Sequence, residues 1–294
     1  MQIDRLIRAV WDKGNPTALG LDTRIDYIPE NFARPYLAKS PAEAVFAFNA
    51  VLLEALSDLI PCVKIQAAYY EALGTGGMDC MARTIAAARK LDYVVIVDAK
   101  RGDIGATAAA YSSAYLREDS PFKADFLTVN PYFGTDGMEP FIADCKKHGT
   151  GLFVLVKTSN PSGREFQDVV TKDGRPLYEL VGERVAEWGA ELVGEEGYSS
   201  LGAVVGATYP EQGGALRSQM PRTFFLLPGY GAQGATAEGL APCFDASGEG
   251  AIVAASRSLI CAHKKSGNPD FAHAAREEAI RMRDELASAL GKRQ

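Results

Sequence analysis

Eight short, uninterrupted apolar runs recur along this 294-residue chain, at 18–21, 62–65, 93–97, 126–129, 152–156, 201–205, 223–227 and 251–255. None alternates apolar with polar residues, so each reads as a strand buried on both faces, the habit of parallel sheets. Parallel neighbours need a long crossover between them. Segment 41–59 supplies one, with Val45, Phe48, Leu52, Leu56 and Leu59 at helical spacing, and 81–91, 177–193 and 271–290 also read as amphipathic helices. Strand–helix alternation repeated eight times predicts an α/β fold, a single (β/α)8 TIM barrel with eight parallel strands. An open doubly wound sheet is the alternative, because closure is not written in any local pattern. No break in composition marks a linker, so 1–294 reads as one domain, with 22–40 and 160–176 as its longest loops. Trp11 and Trp188 fall in helical patterns and are expected to pack.

Composition and charge narrow the function classes. The net charge is −6 with no run of Lys and Arg, which argues against a nucleic-acid partner. No apolar stretch reaches the ~18–20 residues of a membrane span, and Met1-Gln2-Ile3-Asp4-Arg5 lacks the apolar core of a signal peptide. The cysteines Cys62, Cys80, Cys145, Cys243 and Cys261 are odd in number and never spaced C-x-x-C, a poor disulfide framework and a poor zinc site. A cytoplasmic location is the simpler expectation. His148, His263 and His273 have no ligand-like spacing and are expected on helix or loop surfaces. No metal site or cofactor motif is found.

The informative residues follow the apolar runs. The first ends at Asp22, the second carries Lys64, the third runs into Asp98 and Lys100, and the fourth ends at Asn130. The fifth ends at Lys157-Thr158-Ser159-Asn160, the seventh at Pro228-Gly229-Tyr230-Gly231-Ala232-Gln233-Gly234, and the eighth at Ser256-Arg257. In a (β/α)8 barrel these exits share the rim where active sites are built. Any one of them is explained by a strand having to end; so many together are not. The glycines at 229, 231 and 234 let backbone N–H groups approach an anion, and Arg257 stands where the last helix should begin. That combination predicts a phosphate site. Asp98 and Lys100 lie two apart at a strand end, with Asp103 on the following turn. An ammonium among carboxylates stays protonated, able to donate a proton and ill-suited to Schiff-base attack.

Together these residues resemble the orotidine 5′-phosphate decarboxylase family, in particular its longer bacterial branch. The central match is Asp98-x-Lys100-x-x-Asp103-Ile104-x-x-Thr107. Gly20-Leu21-Asp22-Thr23-Arg24, Val63-Lys64-Ile65-Gln66, Val156-Lys157-Thr158-Ser159-Asn160-Pro161 and the 228–234 segment surround it. The resemblance implies cofactor-free decarboxylation of orotidine 5′-phosphate to UMP in pyrimidine biosynthesis by a homodimer. It implies that Asp22 and Lys64 contact the ribose, that Asp98 and Lys100 flank the reacting C6, and that Asp103, Ile104 and Thr107 reach the partner's site. Ser159 would bind the pyrimidine, while Gln233 and Arg257, with Pro228, Gly234 and Ser256 around them, would hold the phosphate. The glycine-rich 229–239 segment would close over it.

Three alternatives remain. A Mg2+-dependent sugar-phosphate decarboxylase or aldolase on the same scaffold would need further carboxylates at the rim. A non-catalytic nucleotide-phosphate sensor would not need the Asp98, Lys100 and Asp103 charges. A Schiff-base aldolase would use Lys157.

Overall fold

The computed structural model describes residues 1–206, 210–231, 234 and 236–291. Its strands are β1 (Thr17–Leu21), β2 (Cys62–Gln66), β3 (Val94–Arg101), β4 (Phe126–Val129), β5 (Gly151–Lys157), β6 (Ser199–Val205), β7 (Thr223–Pro228) and β8 (Ala251–Ala255). All neighbours pair parallel in sequence order, and β1 pairs with both β2 and β8. The sheet is therefore a closed (β/α)8 barrel, and the open-sheet alternative falls.

The continuous apolar runs now have their cause. One face of each strand packs outward on the helix layer, where Leu19, Val63, Val95, Leu127, Leu152, Leu201 and Phe225 meet Phe48, Leu52, Met81, Phe141 and Met282. The other face fills the barrel. Ala18, Cys62, Val94, Ile96, Phe126, Phe153, Phe224 and Ile252 form a separate buried cluster with Ile3, Leu6, Ile7 and Val10 of the Gln2–Lys13 helix. Those four apolar residues recur at one-turn spacing, so this helix plugs the N-terminal end of the barrel. The Phe126 and Phe153 rings lie 5.1 Å apart inside it. They fit because β5 and β6 present Gly151 and Gly202: a Cβ on either would lie within 2.7 Å of a ring carbon.

Several sequence expectations need correction. β3 does not stop at Val97 but runs on through Asp98 and Lys100 to Arg101, because charged side chains at a barrel rim do not interrupt extended backbone. The expected 22–40 loop contains a helix, Glu30–Leu37, and the 160–176 loop a short one, Arg164–Gln167. Within 229–239, Thr236 caps a helical turn, Ala237–Leu240. The 81–91 helix begins earlier, at Gly74, since its small first turn carries no apolar periodicity. Helix 177–193 ends at Trp188 and is followed by a 3-10 turn. Trp11 does not pack into the core; it is 48% exposed and donates its indole N–H to Glu249 at 2.9 Å. Among the histidines, His273 is on the surface, whereas His148 and His263 are partly buried. All five cysteines are free thiols, and four are buried.

Candidate active site

The C-terminal ends of the strands surround a cavity of about 670 Å3, within the ~300–1,000 Å3 usual for a small-molecule site. Its lining brings together Asp22, Lys64, Asp98, Lys100, Ser159, Pro228, Ser256 and Arg257, all singled out from sequence. The two halves of its floor differ. β2, β3 and β4 contribute Lys64, Gln66, Asp98 and Thr128, while β5 to β8 contribute Leu155, Val204, Leu226 and Ala254. A flat, partly apolar ring can lie on the second half while its reacting edge faces the charges of the first.

Asp98 is the hub of the charged half. Its Oδ1 accepts from Lys100 Nζ at 2.6 Å and Thr128 Oγ1 at 2.9 Å, and its Oδ2 from Lys64 Nζ at 2.9 Å and Gln66 Nε2 at 3.0 Å. Four donors satisfy a carboxylate's capacity, so the group has one orientation. Burial alone would raise the Asp98 carboxyl, but the Lys64 and Lys100 ammonium groups overcome this and hold it well below the usual carboxylate range. Burial likewise would lower Lys64, only 5% exposed; Asp98 and Asp22, the latter at 3.6 Å, raise it instead. Both groups are ionised at neutral pH. Lys100 differs: its side chain is 45% exposed, at the edge of the cavity.

On the apolar side, Gln167 braces the turn after β5. Its Oε1 accepts from Thr158 N at 3.0 Å and its Nε2 donates to Thr158 Oγ1 at 2.7 Å. This sets Ser159 and Asn160 at the cavity wall. Beyond β7, Gly229, Gly231 and Gly234 take φ of 110°, 68° and 86°, the left-handed region that other residues avoid. Ser256 is the N-cap of a short helix, Arg257–Ile260, so Arg257 does open a helix. Gln233 lies outside the described residues, and Gly234 does not line the cavity.

Asp103, Ile104 and Thr107 also lie away from this cavity. Ile104 is 55% exposed, Thr107 is exposed, and Asp103 Oδ1 accepts from Ile104 N at 2.8 Å. Asn130 caps the turn after β4, accepting from Tyr132 N at 3.0 Å, and is not in the lining. Lys157 is buried against Asp168, with its ammonium 5.0 Å from the centre of the Tyr178 ring and outside the cavity, which removes the structural basis for a Schiff-base site. Asp22 and Asp98, the acidic pair in the lining, are bridged by the Lys64 ammonium rather than held open for a cation. Among the described residues no group of three or more His, Cys, Asp or Glu is placed to hold a metal ion.

The sequence reading did not single out Thr128, Tyr69, Tyr27 or the apolar residues of the lining, and assigned no role to Arg24 or Gln66. Thr128 was detectable in principle, as a hydroxyl inside the apolar run Phe126-Leu127-Thr128-Val129. Gln66 was too, two residues beyond Lys64 and so on the same side of its strand.

Comparison with known proteins agrees with this geometry. Residues 47–268 match the model of the orotidine 5′-phosphate decarboxylase / HUMPS family. The chain is 42% identical over 291 residues to orotidine 5′-phosphate decarboxylase of Clostridium tetani, covering 99% of both chains. It is 42% identical over 292 residues to that of Clostridium acetobutylicum, covering 99% of this chain and all of the other. The OMP decarboxylase structure of Leishmania donovani superposes with a TM-score of 0.74 at 29% identity, over 96% of this chain and 98% of that one. No helix among the described residues is long and apolar enough to cross a membrane. The chain belongs to the orotidine 5′-phosphate decarboxylase / HUMPS family.

Proposed function

We propose that this chain converts orotidine 5′-phosphate to UMP and CO2 without a cofactor, as a cytoplasmic step of pyrimidine biosynthesis. The observation that carries the reading is the network in which Lys64, Asp98 and Lys100 meet at the cavity. In the reaction the bond from C6 to the carboxylate breaks, CO2 leaves, and the electron pair stays on C6. The Lys100 ammonium stabilises that charge and gives C6 a proton, which the lysine regains from solvent. Because Asp98 is held by four donors, the ammonium beside it is already in place when charge develops. Asp22 and Lys64 would bind the ribose, Ser159 the pyrimidine, and Arg257 with Gln233 the phosphate. Pro228, Gly234 and Ser256 would shape that last pocket. Binding energy from the remote phosphate would help to close the site.

Asp103, Ile104 and Thr107 are read as the partner's contribution in a homodimer. Their position outside this chain's own cavity, with Ile104 exposed, supports that role. The test is loss of the orotate-ring absorbance in EDTA, with Lys100→Ala alongside. Turnover by the parent chain that is abolished in a folded variant is expected. Near-normal turnover by Lys100→Ala overturns the proton assignment, and a dependence on Mg2+ would favour the sugar-phosphate alternative. Arg257→Ala is expected to lower kcat/KM mainly through weaker binding, and an unchanged kcat/KM would overturn the phosphate assignment.

A further inference from the structure

The β3–β4 ladder is irregular at the point where the charges gather. Val97 is opposite Leu127 and Arg101 is opposite Val129, so the three residues 98–100 face Thr128 alone. Two extra residues on one strand leave backbone groups that the ladder cannot satisfy. Within this stretch Lys100 has φ of 49°, one of two non-glycine residues with positive φ among the described residues. A side chain in the left-handed region costs about 1–2 kcal/mol, and such a residue persists only where its surroundings hold it.

Thr128 supplies the hold. Its hydroxyl, on a residue 1% exposed, accepts from the Lys100 backbone N–H at 2.9 Å and donates its own proton to Asp98 Oδ1 at 2.9 Å. The same Oδ1 receives Lys100 Nζ at 2.6 Å. One hydroxyl therefore grips the Lys100 backbone and orients the counter-ion that grips its ammonium. We infer that Thr128 is a positioning residue for Lys100, setting where the ammonium stands relative to the reacting carbon. The inference rests on the reading that Lys100 is the proton donor. Although Thr128 lines the cavity, its hydroxyl is engaged by Asp98 and the Lys100 backbone, so removing it is expected to act on the chemical step more than on substrate binding.

Valine matches threonine in shape and lacks the hydroxyl; serine keeps the hydroxyl and lacks the methyl. Steady-state decarboxylation would be measured for Thr128→Val, Thr128→Ser and Lys100→Ala, with folding checked by circular dichroism. Thr128→Val is expected to lose about 10–100-fold in kcat, the scale of an ångström-sized misplacement of a reacting group, with KM within about threefold. Thr128→Ser is expected to recover all but about threefold of that loss. If Thr128→Val does not fold, Thr128→Cys, similar in size and a weak hydrogen-bonder, takes its place in the comparison with Thr128→Ser. Turnover within twofold of the parent in the hydroxyl-free variant overturns the inference. So does a serine variant as impaired as the valine one, which would make the methyl contact the cause, or a loss confined to KM. Lys100→Ala separates the two levels: if it is inactive while Thr128→Val is normal, only the role of Thr128 fails. If Lys100→Ala turns over normally, the underlying proton-donor reading fails.

Discussion

Removing Lys64 tests whether the buried charges act as one unit. Lys64 Nζ stands 2.9 Å from Asp98 Oδ2 and 3.6 Å from Asp22 Oδ1. At an effective dielectric near 20, a pair at the shorter distance gains roughly 6 kcal/mol before desolvation is counted. Lys64→Met leaves Asp98 buried, but Lys100, Gln66 and Thr128 still donate to it. The loss should therefore sit near the lower end of the ~3–5 kcal/mol for breaking a buried pair, about 3 kcal/mol. In Lys64→Met/Asp98→Asn no carboxylate at 98 is left short of a partner, and a coupling of about 2 kcal/mol is expected. Urea unfolding at neutral pH and fixed protein concentration measures all four corners of the cycle. The pH dependence gives a second reading. A carboxyl held low by its partners stabilises the fold above its unfolded pKa, roughly 4, and that stability is lost as pH falls through the folded value. Without Lys64 the folded value of Asp98 moves up toward the unfolded one, so less stability should be lost on acidification and the acid limb should be shallower than in the parent. A coupling below about 0.5 kcal/mol, or superimposable acid limbs, would refute the reasoning.

Three further predictions follow from the same packing and charges. A Cβ at Gly20 would stand 2.0 Å from Ser256 Oγ and 2.9 Å from Ser256 Cβ; turning the hydroxyl relieves the first contact and not the second. Gly20→Ala should cost about 1–3 kcal/mol and raise KM for orotidine 5′-phosphate by moving Ser256-Arg257, and an unchanged KM would disconnect that segment from the phosphate. Arg217 is buried, donates to the carbonyls of Cys243, Met220, Thr223 and Gly250, and stacks 3.8 Å from the Phe225 ring centre. Burial pushes it down only to about 10, so it is cationic at neutral pH. Arg217→Met keeps the stem and loses those bonds, a net cost of about 3 kcal/mol, seen in thermal unfolding as a drop of roughly 5 °C; a shift under about 2 °C would mean the carbonyls find other partners. Finally, Lys64 is raised above its ordinary pKa, so its contribution is complete below roughly pH 10.5 and is lost as pH rises through the folded value. Stability of the parent should fall more steeply in strong alkali than that of Lys64→Met, and parallel curves would count against the ion pair.

Much of the architecture was legible because its signals are local. The double-sided burial of parallel strands is written in runs such as Leu152 to Val156, and the crossover helices in the spacing of Val45, Phe48 and Leu52. The rim residues Asp22, Lys64, Asp98, Lys100, Ser159 and Arg257 were legible because each lies within an apolar run or no more than three residues beyond one. The long β3 was not, since charged residues in sequence look like a loop. Nor was Thr128, because its significance depends on lying opposite three residues of a different strand.

The sequence by itself therefore determined the strand–helix rhythm, the chemical types gathered at strand ends and the family they resemble, all properties of residues near one another in the chain. Only the tertiary structure decided that β1 closes on β8, that Lys64, Gln66, Lys100 and Thr128 converge on one carboxylate, and that Lys157 and Asn130 are left outside the cavity. Strand register brings Lys64 to Asp98 across 34 residues of chain and barrel closure sets Thr17 opposite Val253, and register is a cooperative outcome of packing that no short stretch of sequence carries.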